Sequence, residues 1–275
     1  MLAIANWVAH RPGRIVLALT LLWLNSFSPM ARADEPIPAA AAARFAAHSQ
    51  ERYVAAQQRL RAEPTNAMAA WEFGRASFDR AEYVTNDTER ALLAVEGIAS
   101  CRRVLAADPQ SAPAHYYLSM NLGQLARTKT LGALRIVDEM EREFKAARGL
   151  DERFDFAGPD RFLGQLYLQA PATISVGNRT KARKHLERAV ALCPDYPENR
   201  LNLAEAYLGW GDKNWRRELA ALEKLWPQAH TNFTGPVWDA FWADWQQRRD
   251  KLRRLAGDTV KPAPPPSSKS GQTAP

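Results

Sequence analysis

Three helix-ending positions constrain this chain more than any other feature. Pro109, Glu152 and Pro194 follow one another at intervals of 43 and 42 residues. Each closes a segment of the same kind. "GIASCRRVLAADP" places Gly97, Cys101 and Val104 at helical spacing ahead of Pro109. "MEREFKAARGLDE" does the same with Met140, Phe144 and Ala147, and "KARKHLERAVALCP" with Ala182, Leu186 and Ala189. Steps of three and four put these small and apolar side chains on one helical face, and proline ends the helix because it cannot continue the hydrogen-bond ladder. A first helix precedes each segment, in "WEFGRASF", "HYYLSMNL" and "FLGQLYL". After Pro194, "ENRLNLAEAYLGWGD" presents Leu203, Ala204 and Tyr207 before Gly211 begins the next turn.

Helix pairs recurring at a fixed period cannot bury their faces alone and must stack. Small residues where helices approach, with Leu and Tyr filling the gaps, are the layout of a tetratricopeptide repeat (TPR). The period exceeds the roughly 34 residues of that repeat. The excess is assigned to the loops inside the hairpins, in "GQLARTKTLG" and "QAPATISVGNRT". HEAT and armadillo repeats have such a period naturally, but the placement of Gly, Ala and Pro favours the TPR class. The expected fold is therefore all-α, a TPR-like solenoid of about four degenerate hairpins between Asn66 and Trp226.

A solenoid needs capping elements. "AAAARFAAHSQERYVAAQQRLRAE" reads as a helix over the first repeat. At the other end, "TGPVWDAFWADWQQRRDKLRRLAG" puts Val237, Trp238, Phe241, Trp242 and Trp245 on one stripe, with Gln246, Arg248, Arg249, Asp250 and Lys251 opposite. The competing reading of that Trp-rich helix is weak association with a membrane surface. Residues 34–257 form the helical domain, and residues 258–275 are a Pro/Ser-rich tail expected to be disordered.

The start of the chain is a separate matter. Arg11 and Arg14 precede the apolar run Ile15–Leu24, and "ARA" ends at Ala33. A basic flank, a short apolar stretch and an A-x-A site describe a signal peptide over residues 1–33, cleaved after Ala33. Ten apolar residues rise only about 15 Å, half of a bilayer core. Cleavage removes Arg11, Arg14 and Arg32 and lowers the formal charge from +7 to +4, which does not suggest nucleic acid as a partner. The Ala/Arg-rich composition suggests a bacterial source, so the expected compartment is the periplasm. Cys101 and Cys193 fall in apolar helical patterns and are expected to be buried thiols rather than a bridge.

No constellation for catalysis, metal or cofactor emerges. His48, His115, His185 and His230 lack partners at ligand spacing, and there is no nucleophile elbow or phosphate-cradling glycine loop. The acids Asp138, Glu139, Glu141 and Glu143 read as a solvated face. The chain therefore reads as a binding protein, not an enzyme. Taking Phe73, Leu118, Leu163 and Leu203 as equivalent packing positions, flanking residues should face the concave side: Trp71 and Arg75, Tyr116 and Met120, Arg161 and Gln165, Leu201 and Glu205. Asn202 joins them one position before Leu203. Arg161, Gln165 and Asn202 would form a polar cluster amid aromatic walls, suited to a carboxylate or peptide backbone. The competing reading is that Arg161 pairs with Asp160 or Glu205 to hold hairpins together.

Several stretches resemble the TatT-type T-component proteins of tripartite ATP-independent periplasmic (TRAP) transporters. They are "AHYYLSMNLGQLARTKTLGAL", "VDEMEREFKAARGLDERFDFAGPDRFLGQLYLQAP", "SVGNRTKARKHLERAV" and "DYPENRLNLAEAYLGWGD", together covering residues 112–212. The resemblance implies a periplasmic, all-helical protein with degenerate TPR motifs around a central cleft. It also implies association with a solute-binding partner and a capacity to form homo-oligomers. The chain departs from the family in lacking a lipoprotein Cys and in carrying the Trp-rich end and Pro-rich tail. The alternative is a general envelope scaffold that binds peptides or assembly proteins.

Overall fold

The computed structural model describes residues 39–129 and 132–257. The expected signal peptide and tail lie outside the described residues. Ten α-helices follow in order: α1 (Ala39–Ala62), α2 (Ala67–Ala81), α3 (Asp87–Ala107), α4 (Ala112–Arg127), α5 (Ala133–Leu150), α6 (Phe154–Gln169), α7 (Arg179–Leu192), α8 (Pro197–Gly209), α9 (Trp215–Asn232) and α10 (Asp239–Ala256). No strand occurs among the described residues. Helices α2 to α9 pair as four antiparallel hairpins, α1 packs on α2, and α10 folds back onto α8 and α9.

Local chemistry sets the helix starts. Asn66 caps α2 by accepting from the N–H groups of Met68 and Ala69, Asn86 caps α3 through Thr88 and Glu89, and Asn178 caps α7 through Lys181. Pro113 and Pro197 occupy the first turns of α4 and α8, where a missing N–H costs nothing. Pro109 and Pro194 each follow a helix by two residues, at the hairpin boundaries the sequence marks. Gly211 adopts φ +68° in the turn inside the last hairpin, a conformation open to glycine.

Ala182, Leu186, Ala189, Phe144, Ala147, Leu163 and Ala204 are all fully buried at the helix crossings. The helices approach so closely that a Cβ on Gly74 would lie 2.4 Å from Cys101 Sγ, and one on Gly97 would lie 2.3 Å from Asn121 Oδ1. The two largest apolar clusters are centred on α4 to α6 and on α8 to α10, and Leu168 and Trp210 pack against both. Cys101 is buried and Cys193 half-buried, and neither forms a disulfide.

Three expectations need correction. The extra length of the repeat does not sit wholly in loops: Gly123 to Arg127 of "GQLARTKTLG" are the last turn of α4, and only the connection after α6 is long. Helices longer than those of a minimal hairpin take up the rest. Val237 leaves the Trp stripe, because Pro236–Trp238 form a separate 3₁₀ turn in which Val237 is exposed. Arg248 and Arg249 do not face solvent either, since both are drawn into ion pairs beneath α10.

The boundary at Glu152, which lacks a proline, is built differently from the others. Asp155, Phe156 and Ala157 have φ of 50°, 57° and 62°, a left-handed turn made without glycine at the head of α6. Left-handed geometry costs about 1–2 kcal/mol per L-residue. The surroundings oppose that cost: the Asp155 carboxylate accepts from Arg161 Nη2 at 2.8 Å and from the Tyr116 hydroxyl, and the Phe156 carbonyl accepts from Arg161 and Asn199. The Phe156 ring stacks on Tyr196 with centroids 4.5 Å apart.

Candidate functional site

Most of the residues expected to line an open concave face on the first helices are instead enclosed. Tyr116, Arg161 and Leu201 have no exposed surface, and Met120 and Asn202 are buried. Arg161 is held by Asp155, the Phe156 carbonyl and Asn199 Oδ1, with Glu198 at 4.0 Å and the rings of Phe162 and Tyr196 about 5 Å away. Burial opposes its charge, but Glu198, Tyr116 and Asp155 more than offset this and raise its pKa. Burial, then the Asp155 carboxylate, pushes the Tyr116 phenol well above its ordinary range.

Arg161 therefore pairs with neither Asp160 nor Glu205. Asp160 instead accepts from His185 at 2.6 Å and from Arg188 at 3.2 Å. Nor do Arg161, Gln165 and Asn202 form one cluster: Gln165 accepts from Gln169, and Asn202 accepts from Arg248. The reason is the left-handed turn, which brings Asp155 and the Phe156 carbonyl to Arg161 from its own helix.

The fourth hairpin's inner face is occupied by the chain itself. Arg248 of α10 donates to Asn202, to both carboxylate oxygens of Glu205, and to Asp244 one helical turn back. Trp245, fully buried, inserts beside Tyr196 and Phe233 and packs against Trp238, Phe241 and Trp242. Glu198 lies below this layer. Burial raises its pKa, with Arg161 and Arg248 acting the other way.

Two cavities stand out among the described residues. The larger, about 150 Å³, lies between α1 and α2 on one side and residues 236–244 on the other. Of the nine expected site residues, Arg75 lines this cleft, and Trp71, half-buried, stacks on Tyr117 in the adjoining core. Arg44 and Arg52 of α1 and Asp239 and Phe241 of the C-terminal segment also line it. Sequence reasoning treats these segments only as caps. No spacing signal could find the cleft, because the residues come from opposite ends of the chain. The smaller cavity, about 50 Å³, is apolar, and Met120 lines it with Phe78, Phe144 and Phe162.

Histidines and acids elsewhere have structural partners. His115 bridges Glu143 and the Pro109 carbonyl. Glu139, Glu141 and Glu143 reach Arg102, Tyr167 and His115 on other helices, while Asp138 stays on the exposed face. No group of three or more His, Cys, Asp or Glu side chains is placed to hold a metal ion among the described residues. No described helix is long and apolar enough to cross a membrane.

Stacked hairpins with a capping helix at each end define a helical-repeat protein. No family model and no curated protein sequence matches the chain. Among solved structures, it is similar to a thermophilic TPR protein of Thermus thermophilus, with 20% identity and a TM-score of 0.54 over 78% of this chain and 96% of that one. That likeness shows the fold, a TPR-like all-α solenoid.

Proposed function

We propose that the protein is a non-catalytic periplasmic binding module, an accessory of a TRAP-type solute transport system. It associates with the solute receptor and admits a small solute to the cleft between its first helices and its C-terminal segment. The observation that carries this reading is the cleft itself: it holds arginines with unused hydrogen-bond donors in a fold otherwise tightly packed. The resemblance over residues 112–212 supplies the choice of system. The alternative, a peptide-binding envelope scaffold, is less favoured because α10 already lies on the inner face of the fourth hairpin. The test is co-elution of the purified protein with the purified solute-binding protein of a TRAP system encoded beside it, together with cell fractionation. A stable complex and periplasmic recovery are expected. Separate elution at micromolar concentrations, or retention in the cytoplasm, overturns the reading.

A further inference from the structure

The larger cleft has two walls of opposite charge that do not neutralise each other. Three arginines, Arg44, Arg52 and Arg75, outnumber the single acid Asp79 on the α1–α2 wall, and Asp239 and Asp244 stand on the C-terminal wall. No ion pair joins the walls among the described residues. Arg52 and Arg75 both approach the same oxygen of Asp79, on their own wall, at 3.6 and 3.7 Å. Those distances lie beyond hydrogen-bond range, so both guanidinium forks keep their donors. On the C-terminal wall, Asp244 is already committed to Arg248 at 3.1 Å, whereas no ion pair among the described residues engages Asp239. Between the walls, Phe45, Val237 and Phe241 supply apolar surface.

Opposite charges that share a partly enclosed space would ordinarily close on each other, since Coulomb attraction strengthens away from bulk water. Here the backbone holds them apart across a gap of about 150 Å³. One water needs about 10–15 Å³ on the same measure, so the gap is large enough for a small organic molecule. An occupant that satisfies both walls must carry a carboxylate at one end, a cation at the other and an apolar body between.

We propose that this cleft binds a small zwitterion, an α-amino acid with an apolar side chain. Its carboxylate lies in the forks of Arg52 and Arg75, its ammonium group faces Asp239, and its side chain rests on Phe45 and Phe241. Arginine suits the carboxylate end because its planar fork matches two oxygens at once. The inference deepens the solute-binding part of the proposed function and does not depend on association with a receptor.

The test is isothermal titration calorimetry of the purified protein with three probes: L-leucine, 4-methylpentanoate (leucine without the amine) and 3-methylbutylamine (leucine without the carboxylate). Leucine is expected to bind, and each single-charge probe to bind at least about tenfold more weakly. Arg75→Gln and Asp239→Asn should each weaken leucine by at least about tenfold while leaving the melting temperature and receptor co-elution unchanged. Arg75 is half-buried and Asp239 is exposed, so these variants should fold. The proposal is overturned if leucine gives no heat at millimolar concentration, or if 4-methylpentanoate binds as tightly as leucine. It is overturned equally if leucine affinity survives either substitution. Loss of receptor co-elution with leucine binding intact would instead remove the transport reading and leave this one standing.

Discussion

Arg248, on the last helix, grips both carboxylate oxygens of Glu205 on α8, Nε to Oε1 at 2.9 Å and Nη2 to Oε2 at 2.7 Å. The pair spans 43 residues of chain and fixes where α10 lies on the fourth hairpin. Asn202 and Asp244 complete the cage, so one guanidinium ties together three acceptors from two helices.

Replacing Arg248 with Ala leaves Glu205, Asn202 and Asp244 without their shared donor. Stranded polar groups cost about 1–3 kcal/mol, and the partial exposure of Glu205 places the loss in the lower part of that range. Chemical denaturation should report it. Arg248→Lys should recover little, because an ammonium cannot reproduce the fork. Full recovery by Lys would show that charge alone, not geometry, anchors α10.

The Trp-rich helix assigns unequal roles to its tryptophans. Trp245 is fully buried, so Trp245→Ala should cost about 3–5 kcal/mol, as for a large core aromatic. Trp242 is half-buried: its Nε1 donates to the Phe233 carbonyl at 2.7 Å, and its ring stacks on His230. Trp242→Ala should therefore destabilise less than Trp245→Ala. Equal melting temperatures for the two variants would contradict the depth difference. Wild-type stability in both, with lost liposome binding, would restore the membrane reading.

Helix approach can be tested at Gly97 and Ala189. A methyl group on Gly97 meets the Asn121 amide, which donates to the Gly74 and Tyr117 carbonyls at 2.8 Å. Ala189 is fully buried between helices. Gly97→Ala and Ala189→Leu should each lower stability by about 1–3 kcal/mol through overpacking. Unchanged melting points would show that the helices separate more readily than this packing allows.

Glu198 links stability to pH. Burial raises its folded-state pKa above that of the unfolded chain. Its stabilising contribution is therefore complete below the ordinary carboxylate range and is lost as pH rises through the folded-state value. Glu198→Gln cannot ionise. Relative to wild type, the variant should gain stability as pH rises above the ordinary carboxylate range in matched urea titrations. A gap independent of pH would mean that Glu198 keeps its ordinary affinity for protons.

The hairpins were legible because their signals are local. Pro109 and Pro194 mark boundaries by the chemistry of one residue, and Ala182, Leu186 and Ala189 show their face by spacing alone. The left-handed turn at Asp155–Ala157 carries no such signal: no glycine stands at those positions, and contacts from distant residues, among them Tyr116, Arg161, Tyr196 and Asn199, hold the geometry. Arg161 was recognisable as an unusual charge inside an apolar face, but its partners depend on that turn. The position of α10 was hidden for a similar reason. Arg248 looks like a surface residue until Glu205 and Asn202 are brought to it by the fold.

The cleft lies between the first helices and the last segment of the described chain, so its two walls are the two ends of a linear array. In such an array each end normally frays alone, and its amide protons exchange with solvent independently of the other end. A molecule seated between the walls is bound only when both ends are folded, so mass action suppresses both opening events together. Amide exchange in α1 and in the first turn of α10 should then slow in step on ligand addition, while α5, far from the cleft, serves as the unaffected reference. Once occupied, the gap would thus join two separate weak points of a repeat protein into one shared, ligand-controlled unit.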